Sequence, residues 1–163
     1  MGYVLAYGGG VNSTALLVLM LEGVVKLEPW EAVFCDTGCE LPETYRYLEW
    51  LSGQGVEVKV LGKDYRRRKF ELDLYDYCWE NRLLPQRSRR WCTVEYKIDP
   101  LRRFARGRKV VVGISYEERH RKHAGIAPLV DLRIDRQGCV EVLKERGFPV
   151  PPRSRCFICP FQS

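Results

Sequence analysis

The sequence predicts an α/β fold built on a largely parallel sheet. Short apolar runs suited to strands alternate along the chain with longer runs that have helical spacing. Three consecutive glycines, Gly8 to Gly10, separate the first strand-like run from the first helix-like run. Such a turn is typical of folds that bind ligands at the carboxyl ends of parallel strands. A chain of 163 residues is long enough for one domain of this kind and too short for two.

Four segments are apolar enough to predict strands: Tyr3–Tyr7, Glu31–Cys35, Val56–Leu61 and Lys109–Ser115. Five segments predict helices: Thr14–Leu21, Pro42–Leu51, Arg66–Arg82, Val94–Arg106 and Arg136–Arg146. Pro42 opens the second of these helices, and Pro100 is expected to kink the fourth or to mark a fresh helix start. The segment 85–92 and the proline-rich tail 148–163 have no periodicity, so we expect loops there.

Composition favours a folded protein with an anionic partner. Hydrophobic residues make up 45% of the chain, and its 27 basic and 21 acidic residues give a net charge of +6, which suits phosphate-bearing molecules. The longest apolar run, Ala15–Met20, is too short to cross a membrane, and no secretory leader is recognisable. We therefore expect a cytoplasmic protein, in which an odd count of seven cysteines indicates metal binding or redox chemistry.

The glycine turn, residues 8–10, predicts an anion site. Glycines let the backbone turn sharply and approach a ligand, and the amides at the start of the following helix attract negative charge. Asn12 or Ser13 is placed to cap the helix or to bond phosphate oxygens. The turn lacks the lysine of a Walker A loop and the spacing of a dinucleotide fingerprint. An ordinary capped turn between a strand and a helix is the alternative.

A second polar turn follows the second predicted strand. Asp36, Thr37 and Gly38 place a carboxylate, a hydroxyl and a flexible backbone at the sheet edge where the glycine turn opens. A ribose hydroxyl or a magnesium ion would be within reach of these groups. The alternative is a simple turn in which the Asp and the Gly supply only turn chemistry.

The tail contains the most specific chemical signal. Cys156 and Cys159 have C-x-x-C spacing on a loop, which lets two thiolates reach one metal centre, and Pro160 follows them. Two further ligands would complete either a [4Fe–4S] cluster or a zinc site. His120 and His123 are spaced badly for joining these cysteines, and we expect them at the surface. A pair of packed thiols is the alternative.

Four segments together resemble the PP-loop ATP pyrophosphatases, or adenine nucleotide α-hydrolases, and especially relatives of phosphoadenosine phosphosulfate reductase. They read "GGGVNS", "DTGCELPETY", "WCTVEYKIDPLRRF" and "GISYEERHRK", and they follow the order of that family. The family's loop reads SGGxDS, so Gly8 stands in place of its Ser and Asn12 in place of its Asp. In the last segment Gly113 and Glu118 fit the family's pattern, while Ser115 stands where that pattern has Arg.

The resemblance implies a five-stranded sheet and a site for ATP or a related adenine nucleotide with Mg²⁺. It implies catalytic roles for Ser13, Asp36 and Lys97, with Lys97 on an anionic group of the nucleotide or its activated adduct. The nucleotide-binding residues that it implies are Gly8, Gly9, Gly10, Val11, Asn12, Ser13, Thr14, Asp36, Thr37, Gly38 and Gly113. Residues 1–163 would form one PP-loop domain, with 136–163 as a metal-binding C-terminal segment.

The same resemblance extends the metal site. It implies Cys92 as a third ligand, and the ending P-x-S-x-C-x-x-C-P after a helix cysteine, as in phage and prokaryotic relatives, implies Cys139 as the fourth. The implied ligands are Cys92, Cys139, Cys156 and Cys159, around a [4Fe–4S] cluster with zinc as the alternative. Cys78 and Cys39 are rival fourth ligands, and Cys35, inside an apolar strand, is expected to be a core residue.

From this resemblance we expect an ATP-dependent adenylating enzyme that releases pyrophosphate, of the sulfurtransferase kind that acts on tRNA or DNA. The positive charge agrees with a nucleic acid acceptor. One alternative is a sulfonucleotide reductase; these enzymes use a nucleophilic cysteine beyond the cluster loop, and no cysteine follows Cys159 in this sequence. The other is a module that binds nucleotide or nucleic acid without turnover and holds a structural zinc ion.

Overall fold

The computed structural model describes residues 2–86, 88–121 and 123–160. Within them the sheet has four parallel strands in the order β3-β2-β1-β4, which are β1 (Tyr3–Ala6), β2 (Trp30–Cys35), β3 (Val58–Leu61) and β4 (Lys109–Val112). The α-helices are α1 (Val11–Leu21), α2 (Pro42–Gly53), α3 (Leu74–Asn81), α4 (Trp91–Thr93), α5 (Asp99–Ala105), α6 (Pro128–Asp131) and α7 (Arg136–Glu145). Short 3₁₀ turns lie at Lys63–Tyr65, Arg68–Phe70 and Tyr116–Glu118. The predicted α/β class with a parallel sheet is confirmed.

The expected count of five strands is wrong, because the described residues form four. Ile126 makes a single parallel bridge beside Val111: its N–H donates to the Val110 carbonyl at 2.8 Å, and its carbonyl accepts from the Val112 N–H at 2.8 Å. The next donor in such a ladder would be the N–H of residue 128, and Pro128 has none. Pro128 begins α6 instead, so this pairing ends after one residue.

The predicted helix Arg66–Arg82 is shorter in the structure, where α3 covers only its second half. The chain before α3 wraps around Arg66, whose residue surface is only 5% exposed. The Arg66 guanidinium donates to the backbone carbonyl of Leu72 at 2.8 Å and to that of Asp36 at 2.7 Å. Because the first of these bonds folds the chain back on itself, it replaces the helical hydrogen bonds of this segment.

The predicted helix Val94–Arg106 belongs to a longer helical segment that begins with α4 and ends with α5. A π-helical stretch, Val94–Ile98, joins the two helices. Pro100 lies in the first turn of α5 and has no N–H to donate to the preceding turn. The wider π turn accommodates the missing hydrogen bond, and Lys97 lies within it.

Helix α1 lies in the centre of the main core. Nearly all of its residues are buried, and it packs against α7 and the sheet. This burial holds the N-terminal end of α1 rigidly beside the glycine turn. Helix α1 is apolar, but no helix in the described part of the chain combines the length and the hydropathy that crossing a membrane requires.

Candidate functional site

The glycine turn joins β1 to α1. Gly9 has a φ of +73°, a backbone conformation that favours glycine. The N-cap residue of α1 is Gly10, and no side chain of the described residues caps the helix there. Instead, the hydroxyls of Ser13 and Thr14 donate to the Gly10 carbonyl at 3.0 and 2.9 Å. The prediction that Asn12 or Ser13 caps the helix is therefore wrong, and the first-turn amides have no capping side chain among the described residues.

Gly113, which follows β4, packs directly against the start of α1. A Cβ at position 113 would lie 2.8 Å from both the N and the Cα of Ser13, closer than such atoms approach one another. The absence of a side chain at Gly113 therefore lets β4 and α1 meet. The structure gives this residue a packing role beneath the glycine turn, in addition to the predicted nucleotide contact.

Replacing Gly113 by alanine is expected to lower the free energy of unfolding by about 1–3 kcal/mol, because the new methyl group must displace the backbone of Ser13. Chemical denaturation measures the change. Gly53→Ala is the matched control: a Cβ at position 53 meets nothing within 4 Å, and alanine favours the helix that ends there. Equal unfolding midpoints for the two variants would contradict the packing role.

Asn12 turns towards Glu118. Its Nδ2 donates to Glu118 Oε2 at 3.3 Å, and Ser115 Oγ donates to the same oxygen at 3.4 Å. The other oxygen of Glu118 pairs with Arg121 at 2.7 Å. Asn12 Oδ1 is buried and has no hydrogen-bond partner in the described part of the chain. A carboxylate thus lies beside the glycine turn even though position 12 itself carries an amide.

The loop after β2 is folded on itself. Asp36 Oδ1 accepts from the Gly38 N–H at 2.8 Å and from the Tyr45 hydroxyl at 2.7 Å. Thr37 is buried, and its hydroxyl donates to Glu40 Oε1 at 3.2 Å. Gly38 has a φ of +69°, and a Cβ at that position would collide with a neighbouring aspartate side chain. These bonds hold Asp36 and Thr37 in a fixed turn at the carboxyl end of β2.

Glu40 and Lys97 form an ion pair next to this turn. The Glu40 side chain is fully buried, and Lys97 Nζ lies 2.9 Å from Glu40 Oε1. Burial lowers the pKa of Lys97, but the Glu40 carboxylate and the nearby thiols of Cys156 and Cys35 together outweigh it, so the pKa of the ammonium lies above its ordinary value. Cys156 Sγ lies 3.6 Å from the same carboxylate oxygen. The pair therefore holds a charged ammonium beside a cysteine of the tail.

A cavity of about 580 Å³ lies between these elements and the tail. The basic residues that line it are Arg90, Lys97, Arg121, Arg153 and Arg155. Among the described residues, Glu118 is its only acidic lining residue, and Thr37 also faces it. Such an excess of positive charge in a concave site attracts a ligand with several negative charges.

Three of the four predicted metal ligands line this cavity: Cys92, Cys156 and Cys159. Cys139 does not line it. Cys139 is fully buried in the main core, where Cys139 and Leu143, one helical turn apart, lie on the buried face of α7. The expectation that Cys139 is the fourth ligand is therefore wrong in this structure, because the packing of α7 on α1 turns its side chain away from the other three.

Cys39 and Cys78 lie closer to the remaining thiols. Both belong to the aromatic cluster against which Cys92 and Cys156 pack. The Cys39 thiol donates a hydrogen bond to Cys156, and burial, together with the nearby Cys92, raises the pKa of Cys78. In the described residues, no group of three or more Cys, His, Asp or Glu side chains is arranged to hold a metal ion. An all-thiol set from separate segments has the donor chemistry that a [4Fe–4S] cluster requires.

Comparison with known proteins assigns the family. The phosphoadenosine phosphosulfate reductase domain matches residues 2–140 of this chain. The chain belongs to this family. A curated relative, an uncharacterized protein of Methanocaldococcus jannaschii, is 29% identical over 101 residues, which are 61% of this chain and 18% of the relative. The chain thus spans less than a fifth of the length of that relative.

A solved structure supports the fold of this phosphoadenosine phosphosulfate reductase domain. The phosphoadenylyl-sulfate reductase of Candida auris, in a phosphate complex, superposes with a TM-score of 0.59 over 92% of this chain and 74% of that chain. Sequence identity is 16%, so the likeness concerns the fold. The predicted family is confirmed, and its recognised segments meet at one edge of the sheet.

Sequence reasoning missed the acidic and basic partners in this domain's site. In the sequence, Glu40 lies two residues before the proline that opens α2, which is typical of an ordinary turn residue. Its burial against Lys97 results from the packing of two segments that are distant in the chain. Arg153 and Arg155 also went unassigned. Their position on either side of Ser154, within the tail motif, was the one signal that pointed to them.

The thiols of the metal-free protein are expected to differ in reactivity. Burial raises the pKa of Cys139 to about 12 from an ordinary 9.0, which leaves roughly a thousandfold less thiolate at neutral pH. The hydrogen bond from Cys39 lowers the pKa of Cys156 and outweighs the effect of burial. Iodoacetamide followed by peptide mass analysis should find Cys156 modified well before Cys139. Modification of Cys139 first would show that α7 does not stay packed.

Proposed function

We propose that this domain binds ATP, or a related adenine nucleotide, at the glycine turn and transfers the adenylyl group to an acceptor with release of pyrophosphate. The observation that carries this proposal is the cavity, where five basic side chains, two threonines and three cysteines face one space, and where the lining residue Ser154 lies beside Gly10 at the uncapped start of α1. The phosphate named in the Candida auris complex supports an anion as the ligand of this fold. The positive charge of the basic side chains offsets the negative charge that accumulates when a bond to phosphorus is broken.

In this reaction an acceptor oxygen attacks the α-phosphorus of ATP. The bond from that phosphorus to the oxygen bridging to the β-phosphate breaks, and pyrophosphate leaves with the electron pair. The amides at the start of α1 and Ser13 bind the leaving phosphates, and Lys97 offsets their charge. Glu118 is the carboxylate that takes the acceptor's proton, and Asp36 is the residue that would hold Mg²⁺.

The adenylated product is then open to displacement by sulfur, and we propose a nucleic acid, tRNA or DNA, as the acceptor. The net charge of +6 and the basic cavity support a polyanionic partner. Cys92, Cys156 and Cys159, together with Cys39 or Cys78, are the residues that would hold a [4Fe–4S] cluster. When bound, such a cluster supplies redox or sulfur chemistry at the cavity wall.

The position of ATP cleavage tests this proposal. Protein purified without oxygen is incubated with γ-labelled ATP, Mg²⁺ and pooled tRNA or DNA, and the labelled product is separated. We expect labelled pyrophosphate, in an amount that depends on the nucleic acid, and the unlabelled adenylyl group on that nucleic acid. Label in inorganic phosphate with formation of ADP, or no turnover with any nucleic acid, would falsify the adenylation step. Binding without turnover would support a binding module instead.

A second function, reduction of a sulfonucleotide, is favoured by one observation, the match to the phosphoadenosine phosphosulfate reductase domain. As a reductase the protein should release sulfite from adenosine phosphosulfate or its 3′-phosphorylated form with a thiol as the electron donor. Sulfite formation that depends on the protein would establish this function. Its absence, in a preparation that cleaves ATP to AMP, would exclude it.

A further inference from the structure

The C-terminal tail lies directly on the glycine turn. A Cβ at Gly10 would be 3.3 Å from Ser154 Oγ, and a Cβ at Gly9 would be 3.4 Å from Ser154 Cβ. Ser154 also lines the basic cavity. This serine therefore stands between the turn and the space in which an anion would bind.

Backbone hydrogen bonds hold this part of the tail in place. The Leu41 N–H donates to the Arg155 carbonyl at 3.0 Å, and the Phe157 N–H donates to the Cys39 carbonyl at 2.9 Å. Between them, Glu40 and Cys156 form an antiparallel bridge. The tail is thus tied to the loop after β2 by strand-like pairing, and the positions of Ser154 and Arg155 are set by that pairing rather than by a free end.

The guanidinium of Arg155, next to Ser154, has an N–H donor that is not used. Its Nε is buried and has no hydrogen-bond partner in the part of the chain that the structure describes. Arg155 lines the same cavity as Lys97. A buried guanidinium N–H without an acceptor is costly, and phosphate, like carboxylate, has the geometry that suits a guanidinium.

We propose that Ser154 and Arg155 bind the phosphate groups of the nucleotide, so that the tail forms a second wall of the nucleotide site facing the glycine turn. This inference rests on the proposed function and adds two binding residues to it. Because Cys156 follows Arg155 directly, the segment that contacts the phosphates is the one that enters the thiol cluster. The nucleotide is therefore recognised by the fold's first loop and by its last segment together.

Equilibrium binding tests this proposal with two probes, ATP and adenosine. Arg155→Met is expected to weaken ATP binding at least tenfold and Ser154→Ala by about threefold, because a charge-assisted hydrogen bond is stronger than a neutral one. Adenosine, which has no phosphates, should bind each variant as it binds the wild type. Arg146→Met is the matched control: Arg146 pairs with Glu22, just after α1 at the end far from the glycine turn, and its loss should leave ATP affinity unchanged.

The outcomes separate this inference from the function on which it rests. ATP affinities of both tail variants within twofold of a wild type that binds ATP would overturn the inference and leave the proposed function standing. Equal losses for ATP and adenosine would also overturn it, since they indicate a loosened site rather than a lost phosphate contact. A wild type that binds no ATP would overturn both. If Arg155→Met lowers the melting temperature, Ser154→Ala decides the matter.

Discussion

Replacing Lys97 by methionine is expected to reduce ATP cleavage at least a hundredfold and to lower the free energy of unfolding by about 3 kcal/mol. The first effect follows because Lys97 is a cation at the wall of the basic cavity, where the proposed reaction would release pyrophosphate. The second follows because the variant leaves the fully buried Glu40 carboxylate without its ammonium partner. Labelled ATP measures the first effect, and chemical denaturation measures the second.

A double variant separates the two effects. In Lys97→Met combined with Glu40→Gln, no charge is left unpaired in the protein interior, so much of the lost stability should return. ATP cleavage should stay low, because the cation is still missing. If the single variant unfolded at the wild-type denaturant concentration, the buried ion pair would be refuted. Recovery of activity in the double variant would refute the role of Lys97 at the phosphates.

Replacing Cys159 by alanine is expected to abolish iron binding in protein purified without oxygen. Wild-type protein should contain about four irons per chain, the content of a [4Fe–4S] cluster. The reason is geometric: Cys159 shares the cavity wall with Cys92 and Cys156, and a cluster that loses one of its ligands is not held. Iron, sulfide and zinc analysis with an absorbance spectrum provides the measurement.

Cys139→Ala is the matched control for this experiment. Cys139 lies in the main core, so its replacement should leave the iron content unchanged and cost about 1 kcal/mol of stability through the small cavity that it creates. Iron loss in Cys139→Ala would restore the ligand set that the sequence alone implied.

Zinc without iron in the wild type would indicate that the thiols bind a structural zinc ion. Cys39→Ala and Cys78→Ala would then identify the fourth ligand in either case.

The sequence predicted the strands and the glycine turn because those features are local. Apolar runs and glycines act on their own segments, so β1, α1 and β4 lie within a few residues of the predicted bounds. The fifth strand could not be judged in this way. Whether the pairing extends beyond Ile126 depends on the register in which this segment meets β4. In the observed register the next hydrogen bond would need an N–H from Pro128, which has none.

In the candidate site, too, the sequence predicted the local features and missed the contacts between distant segments. The C-x-x-C spacing was sufficient to place Cys156 and Cys159 together, because the two residues between them cannot separate them far. Cys139 was misassigned through a motif, although its spacing from Leu143 on an amphipathic helix pointed to the core. Glu40 and Arg155 depend on contacts between segments more than fifty residues apart in the chain, and no local pattern encodes such contacts.

The affinity for ATP of three proteins, wild type, Gly8→Ser and Gly8→Asp, tests the central claim most directly. Gly8 is exposed, and a Cβ there would meet only Ser13 Oγ, at 3.8 Å, so a side chain can be added at this position without displacing the backbone. If the glycine turn binds phosphates, Gly8→Ser should keep the wild-type affinity within about threefold. Gly8→Asp should lose at least about tenfold through repulsion between like charges. Equal ATP affinity in all three proteins would show that the nucleotide does not bind at this turn.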